Sequence, residues 1–313
     1  MNPRNAALSL VVFLLVADPF HPSSAASQIE ITQKEAAEKM PVVLGIGPER
    51  FQIGKLLYQD DFENLDRWVV QIEKKDGFPD PEVAAENGSL NCRLPGRGCT
   101  IWFKEKLLNR LTITYDVVCP SYPNSEVATS GLQPKDVNNF WLASDPTDPA
   151  AGLFDLSRYG GRFTSYNKMN GYYASTGGGR NTTTRMRRYP REREGRAVEH
   201  VALMSRDENP EFLITPDRLM RVQLVAFDDL IQYIVDGKLV YEVAYGNEVT
   251  TERVSQRKKK IREVVTYERK AFPFYREGFF GFRMVGTHHI YSNFRVHALE
   301  PVRQQAQEPD VVK

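Results

Sequence analysis

Between Tyr166 and Tyr189 the chain reads YNKMNGYYASTGGGRNTTTRMRRY, a stretch in which tyrosines, three consecutive glycines and a cluster of arginines lie close together. Guanidinium groups present forked donors that match carboxylates, and tyrosines offer an apolar face with a polar tip. Glycines at 177–179 let the backbone approach a ligand closely or take positive φ. The mixture suits a polar, flat-faced, anionic ligand, and a sugar chain carrying uronic acids meets all three requirements. A hairpin with a glycine turn and a solvated basic strand would have the same composition.

β-Elimination at a uronic acid must neutralise the substrate carboxylate, remove the proton at C5 and protonate the leaving oxygen. It therefore needs a cationic or amide clamp, a base and an acid. Arg180, Asn181, Arg185 and Arg187 are candidates for the clamp. In a strand Arg185 and Arg187 project from one face, and Met186 and Arg188 from the other. His288 or His289 would serve as base, and Tyr166, Tyr172 or Tyr173 as acid or base if a neighbouring arginine lowers its pKa. Tyr172 and Tyr173 are adjacent, so at most one of them faces a groove. For the histidine pair the plain alternative is a strand start with one ring packed and one exposed.

Two other classes stay open. A glycosidase needs two carboxylates across the scissile bond. Glutamates alternating along one strand are absent, and Asp145, Asp148, Asp155 and Glu199 form no evident pair; Asp145, just before Pro146, fits a turn or cap better than an acid catalyst. Hydrolysis ranks behind elimination. A non-catalytic binding module would instead stack Phe140, Trp141, Tyr166, Tyr172 and Tyr189 on sugar faces and hold carboxylates with the arginines and Asn181. No G-x-S-x-G elbow occurs, and Gly177–Gly179 is followed by neither a Lys-Ser/Thr pair nor a helical run, so esterase and nucleotide-cofactor chemistry are set aside. No clustered Asp/Asn loop calls for calcium, and the histidines lack metal spacing; neither cofactor nor metal is expected.

These residues must be carried by strands. Alternation at period two recurs along Lys55–Phe62, Ala84–Cys92, Thr100–Lys104, Leu111–Cys119, Asn139–Ala143, Gly171–Ser175, Thr182–Tyr189, Leu219–Phe227, Gly278–Val285 and His289–Ala298. Leu230–Val235 and Lys238–Val243 flank Asp236-Gly237, a strong hairpin signal. Only Gln33–Lys39 and the region of Arg257–Tyr267 read as helical. Many short strands with Gly, Pro and Asn punctuation predict an all-β, antiparallel jelly-roll sandwich with a groove across one concave sheet.

Several motifs in order carry a resemblance: LLYQDDFENLDRWVV from Leu56, FWLASDP from Phe140, RNTTTRMRRY from Arg180, IVDGKLVYE from Ile234 and GFFGFRMVGTHHIYSNFRV from Gly278. Together they resemble an uncharacterised bacterial domain family of the concanavalin A-like lectin/glucanase superfamily, over roughly Leu56 to Leu299. Members are often exported and encoded near polysaccharide-degrading enzymes, so the resemblance implies a carbohydrate-related role without supplying a mechanism. Two parts depart from it: a charged insertion over 246–271 and a leading arm over 28–54. The insertion could rim the groove or stand as a solvated excursion.

Arg4 followed by an apolar run from Ala6 to Ala17 and small residues at 23–27 reads as a secretory signal over 1–27, too short to span a bilayer as a helix. A secreted or periplasmic protein without a membrane span is expected, with a jelly-roll domain over 55–300 and a polar tail over 301–313. Lys plus Arg at 41 against Asp plus Glu at 40 leaves a formal charge of +1, so no global field attracts nucleic acid. The charge is local, concentrated in the arginines between 180 and 196 and the basic residues between 252 and 270. The expected partner is an acidic polysaccharide or oligosaccharide; the sequence leaves the oligomeric state open. Of three cysteines, Cys92 and Cys99 flank a turn-rich RLPGRG loop that could bring them together as a disulfide.

Overall fold

Alternation sends every second side chain of a strand to the same face, so a chain of alternating strands is stable once two such faces close on each other. In the computed structural model, which describes residues 50–190, 192–193, 196–197, 200–205, 210–254 and 260–302, this is what the chain does. All of these residues belong to the unit 42–313. The leader, most of the arm, the Gln33–Lys39 segment, Glu199 and nearly all of the polar tail lie outside the described residues.

The strands β1 (Phe51–Asp60), β2 (Trp68–Ile72), β3 (Glu82–Glu86), β4 (Ser89–Arg93), β5 (Gly98–Phe103), β6 (Leu107–Leu108) and β7 (Leu111–Val118) lead into a short helix α1 (Asn124–Ser130). There follow β8 (Val137–Ser144), β9 (Asn170–Gly177), β10 (Thr183–Tyr189), β11 (Glu192–Arg193), β12 (Arg196–Ala197) and β13 (His200–Ser205). The chain continues through β14 (Met220–Phe227), β15 (Leu230–Val235), β16 (Lys238–Val243), β17 (Glu248–Val254), β18 (Lys260–Thr266), β19 (Glu277–Val285) and β20 (His288–Pro301). One sheet runs β16-β15-β14-β7-β20-β4-β3, with β1 along the second half of β20. The other runs β18-β17-β13-β10-β9-β8-β19-β5-β2, with β6 on β19. The strand pairs are antiparallel, as expected for a jelly-roll sandwich.

The inner faces make one core. Ile101 and Phe103 of β5, Phe280, Phe282 and Met284 of β19, Ile113 and Tyr115 of β7 and Val222 and Leu224 of β14 are all buried in it. Trp68 stacks on Phe282 at 5.4 Å and meets Phe103 and Phe294 edgewise or tilted, while its Nε1 donates to Asp60 Oδ2 at 2.9 Å. The Asp-rich end of β1 and the tryptophan eight residues later are thus one unit: the carboxylate satisfies the only polar atom of a ring buried for its area.

Several expectations need correction. Ala84–Cys92 is two strands, because Asn87 and Gly88 both take positive φ and turn the chain between β3 and β4. The Arg257–Tyr267 region is not helical: β17 and β18 pair as a hairpin that extends the ten-stranded sheet, which is where the charged insertion lies. Alternating Val and Thr with charged residues there satisfy a strand edge better than a helix face. Cys92 and Cys99 are not bridged; they are free, buried thiols on strands of opposite sheets, and Cys119 is likewise free and buried. The Asp236-Gly237 turn forms as expected, with φ of 49° and 76°.

The outer face of the ten-stranded sheet is not bare. The segment between β8 and β9 crosses it through two turns of 3₁₀ helix, Gly152–Phe154 and Phe163–Tyr166, and packs Leu153, Tyr159, Tyr166 and Met169 on Trp102, Phe140, Tyr173, Tyr189 and Phe279. Asp145 organises this segment. Its Oδ1 accepts from the Thr147 amide (2.7 Å), Thr147 Oγ1 (2.6 Å) and the Asp148 amide (2.9 Å), and its Oδ2 from Arg158 Nη2 and the Tyr159 hydroxyl, each at 2.5 Å. Burial opposes ionisation, but these hydrogen bonds outweigh it and hold the carboxyl down at about 2. A lowered pKa means that the ionised form stabilises the fold above the ordinary aspartate range, and that this stabilisation is lost as pH falls toward about 2. Asp145→Ala should therefore cost at least about 2 kcal/mol at neutral pH. In denaturant titrations the gap between variant and parent should shrink as pH falls from about 4 toward about 2; a gap independent of pH would show that the carboxylate charge is not what holds the segment.

Candidate functional site

Cross-strand partners share a face, so the register of six adjacent strands defines rows of side chains across the outer face. One row runs Gln71, Thr100, Arg283, Asn138, Ser175, Arg185, through β2, β5, β19, β8, β9 and β10. The neighbouring row runs Val69, Trp102, Gly281, Phe140, Tyr173, Arg187. One row is entirely polar and the other largely aromatic. Gly281 makes the aromatic row possible: a Cβ there would lie 2.6 Å from Trp102 Cε3, so its absence lets the indole lie over the strand and stack on Phe140 at 5.6 Å.

At the β2 end the polar row is closed. Gln71 Nε2 donates to Leu153 O (2.6 Å), and its Oε1 accepts from Trp102 Nε1 (2.9 Å) and the Tyr166 hydroxyl (2.7 Å). Arg283, 0% exposed, sits in the middle of the row. Its Nη1 donates to the carbonyls of Cys99 (2.7 Å), Gly161 (2.9 Å) and Met284 (3.0 Å), while Nε and Nη2 have no partner among the described residues. Phe163 lies between two cations, 5.2 Å from the Arg283 guanidinium and 5.9 Å from that of Arg187, which also lies 5.6 Å from the Tyr173 ring.

Beyond β10 the ladder continues to Leu203 of β13, so the polar row ends at Arg185. Arg185 is half-buried, donates to Thr183 Oγ1, and leaves Nε unpartnered among the described residues. Beyond Asn138 the chain turns at Asp136, whose φ is 61° and whose amide donates to Gly177 O at 3.2 Å. Burial raises the Asp136 pKa against the pull of Lys135, Arg283, a hydrogen bond from Asn138, and Arg185. The carboxyl thus lies among the cations of the row yet holds its proton more tightly than an ordinary aspartate. Burial also pushes Tyr173 up to about 12, with Arg187 and Arg185 pulling down and Tyr189 and Asp136 pushing up. The expected lowering by arginine is present but overcome, so this phenol is a proton donor at neutral pH.

The remaining sequence candidates divide between this face and elsewhere. Arg187 joins Arg185 on the outer face, as the alternation requires, and Tyr173 rather than Tyr172 is the tyrosine that shares it. Tyr172 and Trp141 instead face the sandwich interior, 5.5 Å apart, and the Tyr172 hydroxyl accepts from the Tyr275 amide at 3.0 Å. Tyr166, Tyr189 and Phe140 are on the outer side but fully buried under the crossing segment. The expectation of exposed rings stacking on sugar is therefore corrected: one set of rings faces inward and the other is covered. Tyr166 is raised to about 12 by burial, with both its oxygen's neighbours being protein, Gln71 and the Gly161 amide. Arg180 is exposed at the glycine turn with φ 64°, and Asn181 clips that turn to Ile214 through Nδ2 to O (2.8 Å) and N to Oδ1 (3.0 Å).

The histidines do not close this face. Both are on β20 in the eight-stranded sheet. His288 meets the Tyr122 hydroxyl at 2.5 Å through Nδ1 and Asn91 Oδ1 at 2.7 Å through Nε2. Burial, then Arg93, lowers its pKa to about 4. His289 is buried between the Tyr291 hydroxyl (2.8 Å) and Lys135 O (2.9 Å), and burial brings it to about 3. Both rings are neutral at physiological pH with both nitrogens engaged. Arg283, Asn138, Ser175 and Asp136 were missed in the sequence; the signal available was a charged Arg283 inside the apolar strand FFGFRMV and an aspartate just before NNFWL.

A solved protein of unknown function with a galectin-like fold from Bacillus subtilis is similar at 16% identity and a TM-score of 0.51, covering 80% of this chain and 98% of its own. An endo-β-1,3-glucanase from Pyrococcus furiosus is similar at 9% identity and TM-score 0.47 over 83% of this chain and 99% of that one. A carbohydrate-binding module, CBM66, from Bacillus subtilis is similar at 12% and 0.41 over 75% and 98%. At these identities the likeness is one of fold. No curated protein matches the chain. A family model described as a domain of unknown function, DUF6250, matches residues 95–262, which include every strand of the two rows except β2 and β19. The match covers more than half of the sequence, and the chain belongs to the DUF6250 family.

Proposed function

We propose that this is an exported, carbohydrate-active protein that takes a uronate-containing polysaccharide at the β10 end of the polar row and cleaves it by β-elimination. One observation carries the reading: Arg185, Arg187 and Arg283 share a face with Asp136 and Tyr173, and two of the guanidiniums there have unpartnered N–H edges among the described residues. A buried donor left without an acceptor costs free energy, and a substrate carboxylate is the acceptor that suits a guanidinium fork. Arg185, half-buried at the β10 end, would take the carboxylate first.

The alternatives lose ground on the same geometry. A binding module that stacks rings on sugars needs exposed ring faces, and Phe140, Tyr166 and Tyr189 of this face are fully buried. A glycosidase needs a second free carboxylate beside Asp136, and Asp145 is held by five hydrogen bonds within the crossing segment.

Arg185→Ala should weaken retention on immobilised polygalacturonate or alginate by roughly tenfold to a hundredfold, the loss of one charge-assisted hydrogen-bonding fork. The thermal midpoint should stay within about 2 °C of the parent, as for a surface change away from the core. Arg185→Lys should recover charge but not the fork, and fall between the two. Undiminished retention in the alanine variant, or equal loss of folding and retention, would remove Arg185 from the site.

A further inference from the structure

Cleavage at a uronate requires a base for the C5 proton, and the two histidines are engaged on the other sheet. The β10 end of the row has one half-buried carboxyl, Asp136, and in the next row one phenol, Tyr173, which is 4% exposed. Asp136 reaches this end because a left-handed turn ends the approach to β8, with its amide fixed to Gly177 O. The charged groups whose field acts on it are Lys135 on its own segment, Arg283 of the row and Arg185 from β10, and Asn138 of the row donates a hydrogen bond to it. Tyr173 belongs to the next row, one strand from Arg187, and its hydroxyl is in the field of Arg187, Arg185, Tyr189 and Asp136. In the register, Asp136 lies beside Gly177, on one side of the Ser175–Arg185 pair, and Tyr173 lies opposite Arg187, on the other side, so the two residues flank the position of the half-buried guanidinium that would hold the substrate.

We propose that Asp136 is the base and Tyr173 the acid of the elimination, an inference that rests on the reading of the row as a uronate site. With the uronate carboxylate on Arg185, the Asp136 carboxylate takes the proton from C5. The C5–H electron pair becomes the second bond of C4=C5, and the C4–O4 bond breaks. The departing oxygen takes the Tyr173 hydroxyl proton, giving a free sugar hydroxyl and an unsaturated uronate. Water then returns a proton to the tyrosinate and accepts one from Asp136, so no oxidant or reductant is consumed. The arginines stabilise the charge that builds on the uronate carboxylate as the C5 proton leaves.

The protonation states agree with these roles. A half-buried carboxyl that holds its proton more tightly than an ordinary aspartate is a stronger base, and a phenol held at about 12 keeps its proton until it is needed. Asp136 must be ionised and Tyr173 protonated. The rate should thus rise with pH through a midpoint above the ordinary aspartate range and stay level into the alkaline region.

The test uses the full chain and its variants Asp136→Asn and Tyr173→Phe with polygalacturonate and with alginate, reading three quantities: retention on the immobilised polymer, ultraviolet absorbance of unsaturated uronate, and thermal midpoint. The parent should bind one polymer and release absorbing product. Each variant should keep retention within about threefold and lose turnover by about 10² to 10⁴, the usual worth of a positioned acid or base. The acid limb of the pH profile should be absent from any residual activity of Asp136→Asn. A variant that cleaves within tenfold of the parent removes that residue from the pair and leaves the binding reading intact. A parent that binds without forming absorbing product overturns the pair while sparing the clamp. A parent that binds neither polymer overturns the uronate reading, and the pair falls with it.

Discussion

The structure depends on a buried cation that needs backbone on several sides. Arg283 is a charged side chain in the middle of a ten-stranded sheet, and a charge so placed is tolerated only when hydrogen bonds replace water. Three carbonyls do so, one from β5, one from its own strand and one from Gly161 in the segment that crosses the face. That last bond requires close approach. A Cβ on Gly98 would lie 2.6 Å from Gly161 O and 2.8 Å from Arg283 Nη2, and one on Gly161, at φ 83°, would lie 2.4 Å from the Glu73 amide. Two positions without side chains thus let the crossing segment reach the guanidinium.

Once the segment is held there, the aromatic row lies in a second core. Trp102, Phe140, Tyr166 and Tyr173 pack ring on ring at 5.2 to 6.1 Å, and their burial outside the sandwich gives the ten-stranded sheet packed layers on both faces. Asp145 at one end of the crossing segment and Arg283 near the other are the polar fasteners of this layer. What the segment covers it also protects from water, so Tyr173 and Asp136 titrate in a partly apolar medium, where burial dominates the phenol and the carboxyl alike.

The two sheets divide the titratable groups between them. The eight-stranded sheet keeps His288 and His289 neutral with every ring nitrogen engaged, His288 within a chain that runs from Glu86 through Asn91 to Tyr122. On the ten-stranded sheet Arg185 Nε and Arg283 Nε and Nη2 have no partner among the described residues. The arginines and the histidines are close to β-hairpins of similar appearance in the sequence, yet only the first group shares a face with the phenol.

The sequence by itself determined the alternation, and with it the strands, the all-β class, the Asp236-Gly237 hairpin, the shared face of Arg185 and Arg187, and the opposition of Tyr172 to Tyr173. Each of these follows from period-two geometry or turn chemistry within a few residues, which a single chain displays directly. Tertiary structure alone decided which strands are neighbours, and so which rows exist: Arg283 is separated from Arg185 by nearly a hundred residues and meets it only through β8 and β9. It also decided that Tyr166 and Tyr189 are covered, that His288 and His289 belong to the other sheet, and that Asp136 stands in the field of cations. Strand order and burial are set by packing between distant segments, and local pattern is the same whichever neighbour a strand acquires.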